Sequence, residues 1–187
     1  MRAYLKAFIL GVAALWATPA PAQPAVTVDN IVILQLKDGP VEIAMLPQVA
    51  PNHVARIKEL VKAKFYDGLK FHRVIEGFMA QTGDPLGNGT GGSGKKLAAE
   101  FNSERHTRGA LSMARSNDPN SADSQFFIVT ADSLFLDRNY TVWGRVISGM
   151  EYVDKIKKGD PRNNGSVAVP DTIIGMRMKA DAPAAAR

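Results

Sequence analysis

Cysteine is absent from the 187-residue chain, which excludes any disulfide and any lipid-modified cysteine anchor. A chain without thiols folds in an oxidising compartment without mispairing. Histidine is scarce: His53, His72 and His106 are the only three, and their spacing matches no ligand pattern, so no metal centre and no other cofactor are expected. Long apolar runs are missing too. The run Ala7 to Ala17 has eleven residues, well short of the about 20 that span a bilayer, so no stable membrane anchor is expected. Basic residues are scattered apart from pairs such as Lys95-Lys96 and Lys157-Lys158, with no aromatics interleaved, which argues against nucleic-acid binding. No internal repeat is present.

The apolar run has a different meaning in its context. Arg2 and Lys6 precede it and Ala20-Pro21-Ala22 follows it, the layout of a secretory signal peptide cleaved after Ala22. Residues 23–29 then form a short tether, residues 30–179 one globular domain, and residues 180–187 an Ala-rich, disordered tail. Net charge is +5, of which Arg2 and Lys6 supply two with no acidic residue before Asp29, leaving +3 after cleavage. A composition of 45% hydrophobic and 22% charged residues is ordinary for one domain with a real core.

Along the domain, Ile31 to Leu36 and Val41 to Leu46 are apolar runs separated by Lys37-Asp38-Gly39-Pro40, which reads as a hairpin turn. Pro47 and Pro51 open a helix whose Val54, Ile57, Leu60 and Val61 share a face opposite Arg56, Glu59 and Lys62. Asp84 to Thr107 is Gly-rich and aperiodic, and a loop of that length is expected to border a binding groove. Its stretch Gly89 to Lys96 misses the phosphate-binding pattern, because Lys96 stands where a hydroxyl is required. Ser93 likewise misses the nucleophile-elbow pattern, which Lys95 ends in place of a glycine. Strands are expected at Gly109 to Ala114, Gln125 to Val129, Thr141 to Ile147 and Asp171 to Lys179, with Pro161 to Val169 as loop. Ser148 and Glu151 suggest a capping box for a second helix. About eight hairpin-linked strands and two helices favour a closed antiparallel barrel, since closure removes exposed edges.

The informative stretch is Phe71 to Asp84, two short strands joined at Gly77. Alternation groups Phe71, Arg73 and Ile75 on one face, and leaves His72 as a core-facing residue on the other. Arg73 is thus a permanent cation between apolar neighbours. It is either an edge residue whose stem covers apolar surface while its head reaches water, or a functional donor. In Ser124 to Val129 the same alternation groups Gln125, Phe127 and Val129 against Phe126 and Ile128. Both stretches offer a polar donor beside an aromatic ring.

The chain resembles the cyclophilin family of peptidyl-prolyl isomerases. The likeness rests on Phe71-His72-Arg73, Gly77-Phe78-Met79-Ala80-Gln81, Gly83-Asp84, Gly89-Thr90-Gly91-Gly92, Leu111-Ser112-Met113-Ala114, Asn120, Ser124-Gln125-Phe126-Phe127-Ile128, Leu136-Asp137 and Gly144, in the family's order from about Asn30 to Lys179. It implies a mainly β fold, an eight-stranded barrel with a helix over each end, and a monomer in the bacterial periplasm acting on proline-containing polypeptides. It also implies Arg73 as the catalytic group, oriented by Gln81. Phe78, Met79, Phe127 and Leu136 would form a proline pocket with Tyr140 at its rim, and the backbone near Ala114, with Arg115 and Gln125, would grip the substrate chain. Simple alternation does not bring Phe78, Met79 and Gln81 to one surface, so a bulge or twist is expected after Gly77.

Isomerisation needs no nucleophile and no metal. In the twisted transition state the prolyl nitrogen regains a lone pair, and a donor aimed at it stabilises that state selectively. Arg suits this because its charge is permanent and its N–H groups form a fixed fork. Three positions depart from the family's better-known eukaryotic members: Phe135 replaces a Trp that helps to bind cyclosporin, Tyr140 replaces a His, and Arg115 replaces a common Asn. Weak cyclosporin binding is therefore expected, because Phe135 has no N–H to donate. The competing reading is a module that holds Xaa-Pro segments without accelerating their exchange.

Overall fold

The structure is a computed structural model that describes residues 27–182. The signal peptide, most of the tether and residues 183–187 of the tail lie outside the described residues. A single 3-10 turn, Val28–Asn30, leads into β1 (Ile31–Leu36), which returns through Lys37-Asp38 to β2 (Gly39–Met45). Gly39 and Pro40 fall inside β2, not in the turn, with Pro40 opposite Gln35. Pro40 is tolerated there because β2 meets its other neighbour only from Glu42 onward, so the missing N–H forfeits no bond on that side.

Six more strands follow: β3 (Arg73–Ile75), β4 (Met79–Thr82), β5 (Ala110–Met113), β6 (Phe126–Val129), β7 (Val142–Ser148) and β8 (Gly175–Met178). They form one antiparallel sheet in the order β3-β4-β6-β5-β7-β2-β1-β8. The expected closed barrel is not what forms: the outermost strands β3 and β8 do not pair, and the sheet is an open, curled half-barrel. The reason is that β3's outer edge is already occupied. Val74 donates to the Gly165 carbonyl (2.8 Å) and accepts from Gly159 (2.9 Å), so a loop sits where β8 would have to pair. Residues just ahead of the two edge strands bridge the gap instead, with Phe71 N–H to Asp171 O (2.9 Å) and Gly68 N–H to Ile173 O (2.8 Å). β8 is accordingly shorter than the nine residues that alternation suggested, covering Gly175–Met178 only.

The curl divides the apolar side chains into two clusters. The larger holds Val32, Leu34, Ile43, Ile57, Phe126 and Trp143; the smaller holds Met79, Ala110, Phe127, Val129, Leu136 and Val142. Strand β6 feeds both, Phe126 and Ile128 into one and Phe127 and Val129 into the other, as a period of two requires. Phe126 meets Trp143 edge to face at 5.4 Å and Tyr66 at 5.5 Å, and truncation of such a ring costs about 3–5 kcal/mol. Phe71 departs from the expected alternation. It packs with Val74 in the larger cluster while Ile75 lies against the smaller, because β3 begins only at Arg73 and the preceding residues are not pleated.

Helix α1 (Pro51–Lys62) packs against β8 and buries Val54, Ile57, Leu60 and Val61. Arg56, expected on the solvent face, is buried as well: it donates to Ser93 Oγ (2.7 Å) and pairs with Glu59 (2.6 Å). The residue before the helix, Ala50, has no side-chain cap to offer. Glu100, from the long loop, caps the helix instead, with one oxygen accepting from Asn52 N–H (3.0 Å) and the other from His53 N–H (3.0 Å) and Nδ1 (2.6 Å). Helix α2 (Met150–Asp154) packs against β2. The expected capping box does not form: Ser148 ends β7 and the N-cap is Gly149, at φ 86° with no side-chain bond.

The aperiodic loop between β4 and β5 is tied down by side-chain acceptors in place of ladder bonds. Asp84 accepts from the N–H groups of Leu86 (2.8 Å), Asn88 (2.9 Å) and Gly89 (2.5 Å). Asp123 accepts from Ser93 (2.8 Å) and Gly94 (2.9 Å), and Asn102 donates to Val142 O (2.9 Å). A 3-10 turn at Lys179–Asp181 ends the described chain.

Two carboxylates therefore carry testable weight. Burial pushes the Glu100 carboxyl up, but the bonds from His53 and Asn52 outweigh it and hold the group below its ordinary value. A depressed carboxyl contributes stability above its unfolded pKa, about 4.3, that is lost as pH falls through the folded value. Glu100→Gln should cost about 1 kcal/mol near neutral pH, with the difference narrowing below about pH 4; denaturant titrations at the two pH values check this, and an equal loss at both contradicts the carboxylate cap. Asp84 is also held low, since its three amide donors outweigh burial. Asp84→Asn should speed amide hydrogen exchange at Leu86, Asn88 and Gly89 by about tenfold or more, and unchanged protection there would show that the loop is held otherwise.

Candidate active site

The β3–β4 hairpin sets the site. Its turn uses Gly77 at φ 68°, and pairing runs without a break through Arg73↔Gln81, Val74↔Ala80 and Ile75↔Met79. The expected bulge after Gly77 is not needed: Phe78 belongs to the turn, ahead of the strand, while Met79 and Gln81 are alternate residues of β4 on one face. The next pairings carry the row onward, Gln81↔Phe127 on β6 and Phe127↔Ser112 on β5. Arg73, Gln81, Phe127 and Ser112 thus stand in one row across four strands. Directly opposed side chains are about 5 Å apart, which makes a cation, an amide and an aromatic ring successive neighbours.

Arg73, Gln81 and Phe127 of this row open on a cavity of about 720 Å³. Arg73, Phe78, Met79, Gln81, Ala114, Arg115, Phe127, Phe135, Leu136 and Tyr140, all singled out from sequence, line it. Gln125 does not; it lines an adjoining cavity of about 280 Å³ that shares Gln81, Ala114 and Arg115. Sequence reasoning missed Asn163, Asn164, Ser166 and Val167, which line the same cavity, whereas Gly87 to Gly89 line it from the long loop that was expected to border a groove. The Asn164-Gly165 pair was the available signal, since Asn followed by Gly is prone to left-handed backbone.

Three neutral acceptors surround the Arg73 guanidinium. Its Nε donates to Asn164 O (3.0 Å), one Nη to Asn164 Oδ1 (2.9 Å) and the other to Gln81 Oε1 (3.1 Å). Two of the five N–H groups stay uncommitted. Burial lowers its pKa and the Tyr140 phenol acts against that, yet a guanidinium stays charged throughout. Gln81 donates in turn to Gln125 Oε1 (3.0 Å), and Gln125 Nε2 to the carbonyls of Gly89 (3.0 Å) and Gly91 (2.8 Å). Gln125 therefore anchors the Gly-rich loop and fixes which way the Gln81 amide faces.

The apolar side of the cavity is a set of braced rings. Phe127 and Met79 are buried, Tyr140 lies edge-on to Phe127 at 5.9 Å, and Phe78 meets the 72% exposed Phe135 at 5.5 Å. Arg115 lies over the Tyr140 ring at 4.6 Å and near Phe101 at 5.9 Å. It also donates to the carbonyls of Asn139 (2.9 Å) and Ser116 (2.8 Å). That sandwich braces the wall, and Arg115 lines both cavities as well.

Behind Phe127, the fully buried His106 stacks on its ring at 6.3 Å and meets Asp137 Oδ1 and Ser112 Oγ, each at 3.0 Å. Burial lowers the His106 pKa, with Asp137 pulling the other way. The neutral ring then donates from Nδ1 to Asp137, while Ser112 Oγ, beside Nε2, donates to the Thr141 carbonyl (3.1 Å). The order Ser-His-Asp invites a hydrolytic reading, but Ser112 has no exposed surface from which to reach a substrate. His72 is buried too, as expected, and neither ring nitrogen has a hydrogen-bond partner among the described residues.

Comparison with known proteins agrees with this geometry. Residues 31–178 match the family described as cyclophilin type peptidyl-prolyl cis-trans isomerase/CLD. A probable peptidyl-prolyl cis-trans isomerase of Brucella suis biovar 1 (strain 1330) is 53% identical over 165 residues, covering 82% of this chain and 84% of that protein. Peptidyl-prolyl cis-trans isomerase B of Bacillus subtilis (strain 168) is 44% identical over 128 residues, 67% of this chain and 89% of that protein. Among solved structures, the cyclophilin AquaCyp293 from Hirschia baltica superposes with a TM-score of 0.75 at 31% identity, covering 84% of this chain and 77% of that one. A Cryptosporidium parvum cyclophilin determined in the presence of the dipeptide Ala-Pro gives 0.72 at 25% identity, covering 79% and 98%. Since the match runs from the first residue of β1 to the last of β8, and a relative is more than half identical, this chain belongs to the cyclophilin-type peptidyl-prolyl cis-trans isomerases, a family of isomerase enzymes.

Proposed function

We propose that this enzyme accelerates rotation about Xaa-Pro bonds by donating an Arg73 N–H to the prolyl nitrogen while the proline ring occupies the apolar end of the cavity. The observation that carries this reading is the half-buried guanidinium with two uncommitted N–H groups beside Phe127, Met79 and Leu136. Amide resonance opposes the rotation with a barrier of about 18–20 kcal/mol. As the bond twists, the nitrogen lone pair localises, and only then does it become a good acceptor for the cation. The interaction thus strengthens on the way to the transition state, which is what raises a rate as distinct from an affinity.

The same observation favours turnover over simple holding. Among the described residues no carboxylate pairs with Arg73, so its charge is not neutralised before a substrate arrives. A binding module needs only the apolar notch. The substrates are proline-containing polypeptides, a reading supported by the Cryptosporidium parvum relative, whose structure was determined in the presence of the dipeptide Ala-Pro. We extend the proposal to the folding of exported proteins in the periplasm, on the strength of the signal-like layout of residues 1–22. For cyclosporin we propose weak binding, since Phe135 has no N–H to offer.

Two measurements test these readings. Arg73→Ala should lower kcat/KM for a short Xaa-Pro peptide, followed by exchange spectroscopy, by about 10²–10³-fold while leaving the fold intact. A wild-type protein that leaves the exchange rate unchanged, or lowers it, would show a holder and not a catalyst. Phe135→Trp should strengthen cyclosporin inhibition; equal potency in the two forms contradicts the role given to the missing N–H.

A further inference from the structure

Pro161 to Val169, between α2 and β8, has no apolar periodicity, and sequence reasoning treats it as plain loop. Its backbone is nevertheless heavily bonded. Asp160 N–H donates to Ser166 O (3.0 Å), Gly165 N–H to Asp160 O (2.9 Å) and Ser166 N–H to Asn163 O (2.9 Å), while the Asp160 side chain accepts from Arg162 N–H (2.9 Å). This self-braced loop is fastened along the outer edge of β3 by the two bonds to Val74. Glycines make the approach possible. A Cβ on Gly165 would strike Ile75 and the Val74 carbonyl, and one on Gly159 would strike the Gly165 carbonyl.

Docked in this way, the loop presents one residue to Arg73. Asn164 sits at φ 49°, ψ 33°, in the left-handed region that Asn tolerates better than other side chains. That conformation aims its carbonyl oxygen and Oδ1 at the same guanidinium, on Nε and Nη, at 3.0 and 2.9 Å. Gln81 holds the remaining Nη from the opposite strand. Both acceptors of Asn164 are neutral, so they fix the plane of the fork without cancelling its charge.

We propose that Asn164 is a positioning residue for the isomerase reaction, and that the 159–166 loop is the device that delivers it: together they set the angle at which the free N–H groups of Arg73 face the cavity. The inference rests on Arg73 being the donor to the prolyl nitrogen. Positioning of this kind acts on the transition state more than on ground-state binding, because the lone pair that Arg73 must meet exists only when the bond is twisted.

Asn164→Gly is the cleanest test, since it keeps the left-handed backbone and the carbonyl acceptor and removes Oδ1 alone. It should lower kcat for an Xaa-Pro peptide by about tenfold with KM changed by less than about twofold. The Arg73 Nε–H resonance should exchange faster with solvent in the same variant. Asn164→Asp, which restores an acceptor at the same reach, should recover the slow exchange and part of kcat; Gly165→Ala, which lifts the loop off β3, should reproduce both losses. An Asn164→Gly protein with wild-type kcat and an unaltered Arg73 signal overturns the proposal. An inert wild-type protein would instead overturn the isomerase reading, and the Arg73 resonance would still decide whether Asn164 holds the fork.

Discussion

A guanidinium that is half-removed from water loses hydration on every N–H group and recovers it only through acceptors placed in its plane. Carboxylates would do this most strongly, and they would also neutralise the charge. At Arg73 the acceptors are two amide oxygens and a backbone carbonyl. The arrangement keeps the cation ordered and leaves its field directed at the cavity. Gln125 fixes the Gln81 amide, and the docked loop fixes Asn164, so the site depends on two supports of quite different origin. One is a cross-strand ladder; the other is a covered sheet edge.

The open sheet follows from the same requirement. In a closed barrel β3 and β8 would exchange ladder bonds, which would satisfy the backbone but leave no edge for residues 159–166. The observed fold gives that edge to the loop through Gly159, Val74 and Gly165, and the residues ahead of β3 and β8 bridge what remains of the gap. An exposed edge is ordinarily a liability. Here it is covered and also used, since the covering segment lines the cavity at Asn163, Asn164, Ser166 and Val167.

What could be read from the sequence was whatever local periodicity encodes. Period two in Gln125 to Val129 separates Phe126 from Phe127 and sends them to different clusters, and spacing in Pro51 to Lys62 identifies the buried stripe of α1. The errors lie where a distant residue decides the outcome. Arg56 faces inward because Ser93, thirty-seven positions on, offers it an acceptor. Helix α1 is capped by Glu100 because nothing adjacent to Ala50 could do so. The Ser148 box fails because that residue is still needed in the β7 ladder, opposite Glu42. The site divides in the same way: residues in family-like blocks were recognisable, whereas Asn164 becomes meaningful only once ninety-one positions separating it from Arg73 are folded away.

The apolar wall shows a similar division between touching and supporting. Arg115 lines the cavity and at the same time lies over the Tyr140 ring and donates to the Asn139 and Ser116 carbonyls. The cation stiffens an aromatic face whose other edge rests on Phe127, itself backed by the His106 ring. Phe127 is therefore held on two sides, by the His106 ring, which is bonded to Asp137, and by the Tyr140 ring, which lies under an Arg115 bonded to the Asn139 carbonyl. A rigid floor matters for this chemistry. Under the proposed Arg73 donation, a proline ring free to shift with its pocket would carry the prolyl nitrogen away from a donor that is itself immobile, and both halves of the contact would have to be fixed for the twisted geometry to be favoured.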